Sequence, residues 1–130
     1  MNFYEVRYDD KAESELEFCK KMYKNHAINS ENMNTVKSVI LDISGGGIRF
    51  SLSTPLEEGT YFMAQFSLAL EECTQQFNIV CKVINCTQSL DYADRYFARS
   101  KFIFDRMTER EKIVRFVFEE ERRIRRREME

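Results

Sequence analysis

The chain has 130 residues but no tryptophan, one proline (Pro55), one histidine (His26) and four glycines. A lone imidazole leaves no second ring for a metal site or a proton relay, and neither a Ser/His/Asp set nor a P-loop stands in the sequence. An enzyme is not expected, nor a cofactor or metal. Cys19, Cys73, Cys81 and Cys86 form no CxxC pair and read as buried free thiols of a reducing compartment. In a regular strand Cys81 and Cys86 would face opposite sides. No apolar run approaches the ~20 residues of a membrane span, and no N-terminal stretch has the pattern of a signal peptide. A cytoplasmic protein is expected. Dominance of one charge is also missing: 20 Lys and Arg against 22 Asp and Glu leave a net −2. The field as a whole therefore draws neither nucleic acid nor membrane.

What is present suits a single domain spanning 1–130, mainly β, with a core of ordinary globular composition (43% hydrophobic). In Val36 to Ser44, Val39, Leu41 and Ile43 share one face while Ile40, Asp42 and Ser44 share the other. After three glycines, Ile48, Phe50 and Leu52 alternate with Arg49, Ser51 and Ser53. Phe62 to Leu70, Phe77 to Cys86 and Tyr96 to Phe104 continue the period of two, separated by turn residues such as Pro55 and Gly59. Val80, Ile84 and Cys86 make the second face of their strand too apolar for water, so a cover is predicted. Ala12, Ser14, Leu16 and Phe18 predict a half-buried N-terminal strand, although Leu16, Cys19 and Tyr23 also fit a helix. Lys20 to Asn34 is polar and reads as a long loop. Several short strands at turn-punctuated spacing read as an antiparallel barrel or sandwich.

A helix is predicted over about 108–127. Thr108-Glu109-Arg110-Glu111 has capping-box spacing. Ile113, Phe116, Val117 and Ile124 form a stripe that Val114 and Phe118 widen. The stripe either covers the barrel or pairs with another copy of the chain. Arg122, Arg123, Arg125, Arg126 and Arg127 suit the negative end of the helix dipole, with Glu119–Arg123 and Glu121–Arg125 as four-residue pairs. A nucleic-acid contact by this cluster is the weaker alternative.

Asp42-Ile43-Ser44-Gly45-Gly46-Gly47 (DISGGG) sets a carboxylate and a hydroxyl on one side of a strand, just before an open backbone. An Asp can accept two N–H bonds at once, which suits a guanine edge or a guanidinium, and glycines allow close approach or positive φ. The alternative is an Asx or Ser turn that bonds only itself. DISGGG also resembles the [D/N]-x-S-x-x-G motif of PilZ domains, the receptor modules for bacterial cyclic di-GMP, with Asp42, Ser44 and Gly47 in its fixed places. The likeness extends through the Leu56/Gly59 turn to YFARSKFIF and MTEREKIVRFVFEEERRIRRRE, similar to the last strand and C-terminal helix of flagellar-brake PilZ domains.

The resemblance implies a six-stranded antiparallel, PilZ-like split barrel over about 4–105 with a C-terminal helix, and an R-x-x-x-R motif upstream, whose arginines fork onto phosphate and stack on purines. Phe3-Tyr4-Glu5-Val6 resembles the stretch that carries the second of these, which sets Met1 and Glu5 at the two arginine positions. Lys20 and Lys24 repeat the spacing, and Arg7 lies near the right place without a basic partner. Arg99 stands where the family often has glycine, and the N-terminal domain usual in flagellar-brake proteins has no counterpart in these residues. The implied function is non-enzymatic signalling in the cyclic di-GMP pathway, in motility, pili or surface attachment. Contact with a protein partner of the motility or pilus machinery is the first reading. Direct cyclic di-GMP binding through Asp42, Ser44 and Gly47 is the alternative.

Overall fold

The computed structural model describes residues 1–6, 14–26, 35–71 and 73–129. Its elements are β1 (Asn2–Val6), α1 (Glu15–Lys24), β2 (Val36–Lys37), β3 (Val39–Ile43), β4 (Gly47–Leu52), β5 (Tyr61–Ala69), β6 (Thr74–Gln88), β7 (Tyr96–Ile103) and α2 (Met107–Met129). All strand pairs are antiparallel, in the order β2-β1-β5-β6-β7-β4-β3. The two ends of that order are consecutive in the chain, separated by Ser38 alone. The sheet must therefore curl until its edges meet, and Phe3 on β1 packs against Phe50 on β4 at 5.8 Å between ring centroids. Backbone bonds between Ser38 and Met1 tie the two edges together at one end, giving a barrel-like sheet.

Six strands are expected and, among the described residues, seven are observed. The strand predicted over Val36–Ser44 breaks at Ser38, whose amide and carbonyl turn to the Met1 backbone. The N-terminal strand is Asn2–Val6. The segment predicted as a strand around Ser14 to Phe18 belongs instead to α1, where the alternation loses to helical caps. Ser14 accepts the Glu17 amide, Glu15 and Glu17 occupy the first turn, and Lys21 and Lys24 the last. Lys20 to Lys24, read as loop, are also helical; the rest of that loop at 27–34 lies outside the described residues.

Inside the barrel, Phe3, Phe50 and Phe62 meet edge-on or tilted at 5.3–5.8 Å, and Ile48, Ile79, Cys81 and Ile113 belong to the same core. Such aromatic pairs add roughly 0.5–1.5 kcal/mol each beyond area burial. The predicted cover is assigned differently by the structure. Val80, with Tyr4, Tyr61 and Met63, lies under α1 through Phe18, Cys19 and Met22, whereas α2 contributes Ile113 and Phe116 to the barrel interior. Ile84 remains half exposed.

Two bulges explain where simple alternation fails. A register shift between Val83 and Asn85 places Cys86 against the same core as Cys81, so the two thiols do not face opposite sides. A second, between Ile40 and Asp42, lets Ile40 and Ile43 both pack inward while Val39 and Leu41 face solvent. An inserted residue resets the period of two. The buried-thiol expectation holds for Cys19 and Cys81 but not for Cys73, which is exposed.

The last helix starts at Met107, so Thr108 lies inside its first turn and is not the cap. Ile113 is fully buried, whereas Phe118 and Ile124 are 58% and 50% exposed. Among the described residues, the ion pair near its basic end joins Glu120 and Arg123 at 2.5 Å, rather than either four-residue pair. No helix among the described residues is long and apolar enough to cross a membrane.

Candidate functional site

The three glycines of the turn answer to space rather than to backbone conformation. None has positive φ; Gly59 alone does among the described residues. A Cβ on Gly47 would stand 2.0 Å from the Ser100 carbonyl oxygen, so only glycine lets β4 pair with β7 there. A Cβ on Gly45 would meet the Val114 side chain at 2.8 Å, which seats the turn against α2. At Gly46 the nearest atom is 3.9 Å away. The Gly46 carbonyl accepts from the Phe102 amide at 2.8 Å, tying the turn to the end of β7.

Ser44 is partly consumed by the turn. Its hydroxyl accepts the Gly46 amide at 3.2 Å and reaches the Gly47 carbonyl at 3.4 Å, and its own amide bonds that carbonyl at 3.0 Å. Asp42 behaves differently. It is exposed, and among the described residues its carboxylate bonds no turn amide, so it is not an Asx-type cap. Asp42, Ser44, Gly46 and Gly47 line one hollow of about 240 Å³, completed by Ile43, Ile48, Ile84 and Ser100 and by two arginines, Arg49 and Arg99.

The arginines come from the barrel wall. Arg49 on β4 faces Asp42 on β3 from one side and Arg99 on β7 from the other. Both guanidinium groups are exposed, and among the described residues neither has an ion-pair partner. Like charges directly opposite in a sheet are unfavourable, and a single carboxylate offsets only one of them. Sequence reasoning missed both as site residues. For Arg49 the parity with Asp42 across the turn was a usable signal; the placement of Arg99 depends on pairing between distant strands.

Met1 and Glu5 are not brought to this hollow. The Met1 ammonium and carbonyl bond Ser38, at the far end of β3 from the turn, and β1 then runs away from it, so that exposed Glu5 pairs with Phe62. Lys20 and Lys24 lie exposed on α1. Arg7 lies outside the described residues. At the start of α1, Glu15 accepts from the Tyr61 hydroxyl and from Lys82 at 3.2 Å, which together hold its carboxyl below the ordinary range. Among the described residues no group of three or more His, Cys, Asp or Glu is placed to hold a metal. Every aromatic of the described strands is buried or half-buried, so they offer no row of fully exposed rings along which a single-stranded nucleic acid could stack.

An antiparallel, barrel-like sheet thus carries a C-terminal helix and, on its wall, a polar, glycine-lined turn. The PilZ domain profile matches residues 22–119, and the chain belongs to the PilZ domain family. Met1 and Glu5 precede the matched span. Searches among curated proteins and among solved structures return no match.

Proposed function

We propose that this PilZ domain is a non-enzymatic signalling module of the bacterial cyclic di-GMP pathway, and that the hollow beside its glycine turn receives the nucleotide. The observation that supports this reading is the unused Asp42 carboxylate. The turn closes through Ser44, so Asp42 is left with two acceptor oxygens facing the hollow, a suitable partner for the N–H edge of guanine. Gly46 keeps the approach free of a side chain, and Ser44 retains capacity for one further bond. Titration calorimetry with cyclic di-GMP on the wild type and on Asp42→Ala tests it. Binding in the micromolar range or tighter, lost in Asp42→Ala, is the expected result. A silent wild type overturns the reading.

A second reading is contact with a protein of the motility or pilus machinery, or with another copy of this chain. It is favoured by Phe118 and Ile124, which α2 leaves in solvent beyond the barrel. Sedimentation over a concentration series, on the wild type and on Phe118→Ser with Ile124→Ser, tests the self-association arm: a monomer at all concentrations removes it.

A further inference from the structure

We infer that Arg49 and Arg99 hold the phosphates of the nucleotide, and that its second base lies in an adjoining hollow against Phe97. The inference rests on the proposed function, since it takes the first guanine at Asp42 as given. It replaces an upstream arginine motif with cations from the barrel wall itself.

Strand pairing sets Asp42, Arg49, Arg99 and Asn85 in one row across β3, β4, β7 and β6. At about 4.8 Å per strand spacing the row spans roughly 14 Å on the outer surface. One step along the strands, Phe97 on β7 pairs with Thr87 on β6. Alternation keeps Phe97 on the same face as Arg99. A hollow of about 330 Å³ lies here, lined by Asn85, Thr87, Phe97 and Ala98 and by the same Arg49 and Arg99 that line the glycine-turn hollow. The two arginines thus form a cationic ridge between two recesses.

The shape matches one ligand chemistry: two purine bases joined through a ring carrying two phosphates. One recess offers a carboxylate and open backbone for guanine. The other offers a half-buried aromatic edge with an amide and a hydroxyl, which is a sequence-tolerant seat for a second base. Between them, a guanidinium fork suits each phosphate better than an ammonium would. The ridge is also electrostatically incomplete. Two facing arginines share one Asp42, and an anion placed between them removes a repulsion that the free domain carries.

Calorimetry with cyclic di-GMP and with GMP, on variants whose melting curves show an intact fold, tests the assignment. Arg49→Gln and Arg99→Gln are each expected to weaken cyclic di-GMP binding about tenfold or more, as lost charge-assisted bonds do. Phe97→Leu keeps the bulk of the site; it should weaken cyclic di-GMP and leave GMP unchanged, because GMP has no second base. Glu5→Gln should alter neither. Wild-type affinity in the Arg49→Gln/Arg99→Gln double variant, with binding still lost in Asp42→Ala, overturns the ridge and leaves the guanine site standing. Equal losses for GMP and cyclic di-GMP in Phe97→Leu overturn the second recess. A wild type that binds neither nucleotide overturns both the inference and the reading beneath it.

Discussion

The hydroxyl of Tyr23, on α1, stands at the end of the β6–β7 ladder. It accepts from the Val80 amide at 3.0 Å and donates to the Ile103 carbonyl at 2.5 Å. Val80 and Ile103 are themselves register partners, so one side chain satisfies both strands where their own bonding stops. Around it, Phe18, Cys19 and Met22 cover the apolar outer face of the sheet. Tyr23→Phe keeps the packing and removes both bonds. It should cost about 1–3 kcal/mol, measured by urea unfolding, because the Val80 amide is left dry and unpaired. Cyclic di-GMP affinity should stay unchanged. An unaltered midpoint would show that α1 is held by its apolar face alone.

The turn glycines should separate sharply by position. Gly47→Ala drives a methyl into the Ser100 carbonyl and should destabilise by about 3 kcal/mol or more, or prevent folding. Gly46→Ala enters open space and should stay within about 0.5 kcal/mol of wild type. Gly45→Ala should fall between them, since a single Val114 methyl can move aside. Thermal melts of the three variants check the order; a costly Gly46→Ala would contradict the geometry.

Alkaline pH should unfold the protein early. Burial pushes the Cys19 thiol from an ordinary 9.0 up to about 11 and the Tyr4 phenol from 10.0 up to about 12. Burial also raises Tyr23. Each group favours its protonated form in the fold, so the unfolded chain sheds protons first as pH rises. This stabilisation is complete below about pH 9 and is lost as pH climbs through the folded values. On the acid side the sign reverses for Glu15, whose carboxyl is held low by the Tyr61 hydroxyl and then by Lys82. Its contribution is present above the ordinary carboxylate value and disappears as pH falls through its folded value. Melting temperatures across both ranges check this. A flat profile above about pH 9 would contradict the burial of Tyr4 and Cys19.

Thiol labelling should follow the same map. Cys73 is exposed and should react at once with an aromatic disulfide reagent, with Cys86, partly buried, behind it. Cys81 is enclosed by the barrel and Cys19 by α1, and burial raises both thiols. These two should react only through opening. Cys19 should react before Cys81, because freeing it requires only that α1 lift. Simultaneous labelling of all four would place the interior of the barrel within reach of solvent.

Much of the architecture was readable from residue order. The rows Phe62 to Leu70 and Ile48 to Leu52 alternate so regularly that their strands and inner faces follow from the period of two. The helix stripe from Ile113 to Phe116 was equally plain. Alternation failed at Ser14 to Phe18, where a short amphipathic helix with a serine cap imitates a strand over a few residues. It failed again around Leu41 and between Val83 and Asn85, because a bulge leaves no mark in composition.

By itself, the sequence determined the family, the glycine turn and the residues that fill the barrel. These follow from local spacing, which survives whatever the rest of the chain does. Tertiary structure alone decided that α1 covers Val80, that Ser38 closes the barrel, and that Met1 and Glu5 lie away from the turn. It alone set Arg99 against Arg49 and both beside Asp42. Those neighbours are brought together by pairing of strands remote in sequence. Which side chain stands beside which depends on the register of the whole sheet, and two bulges had reset that register.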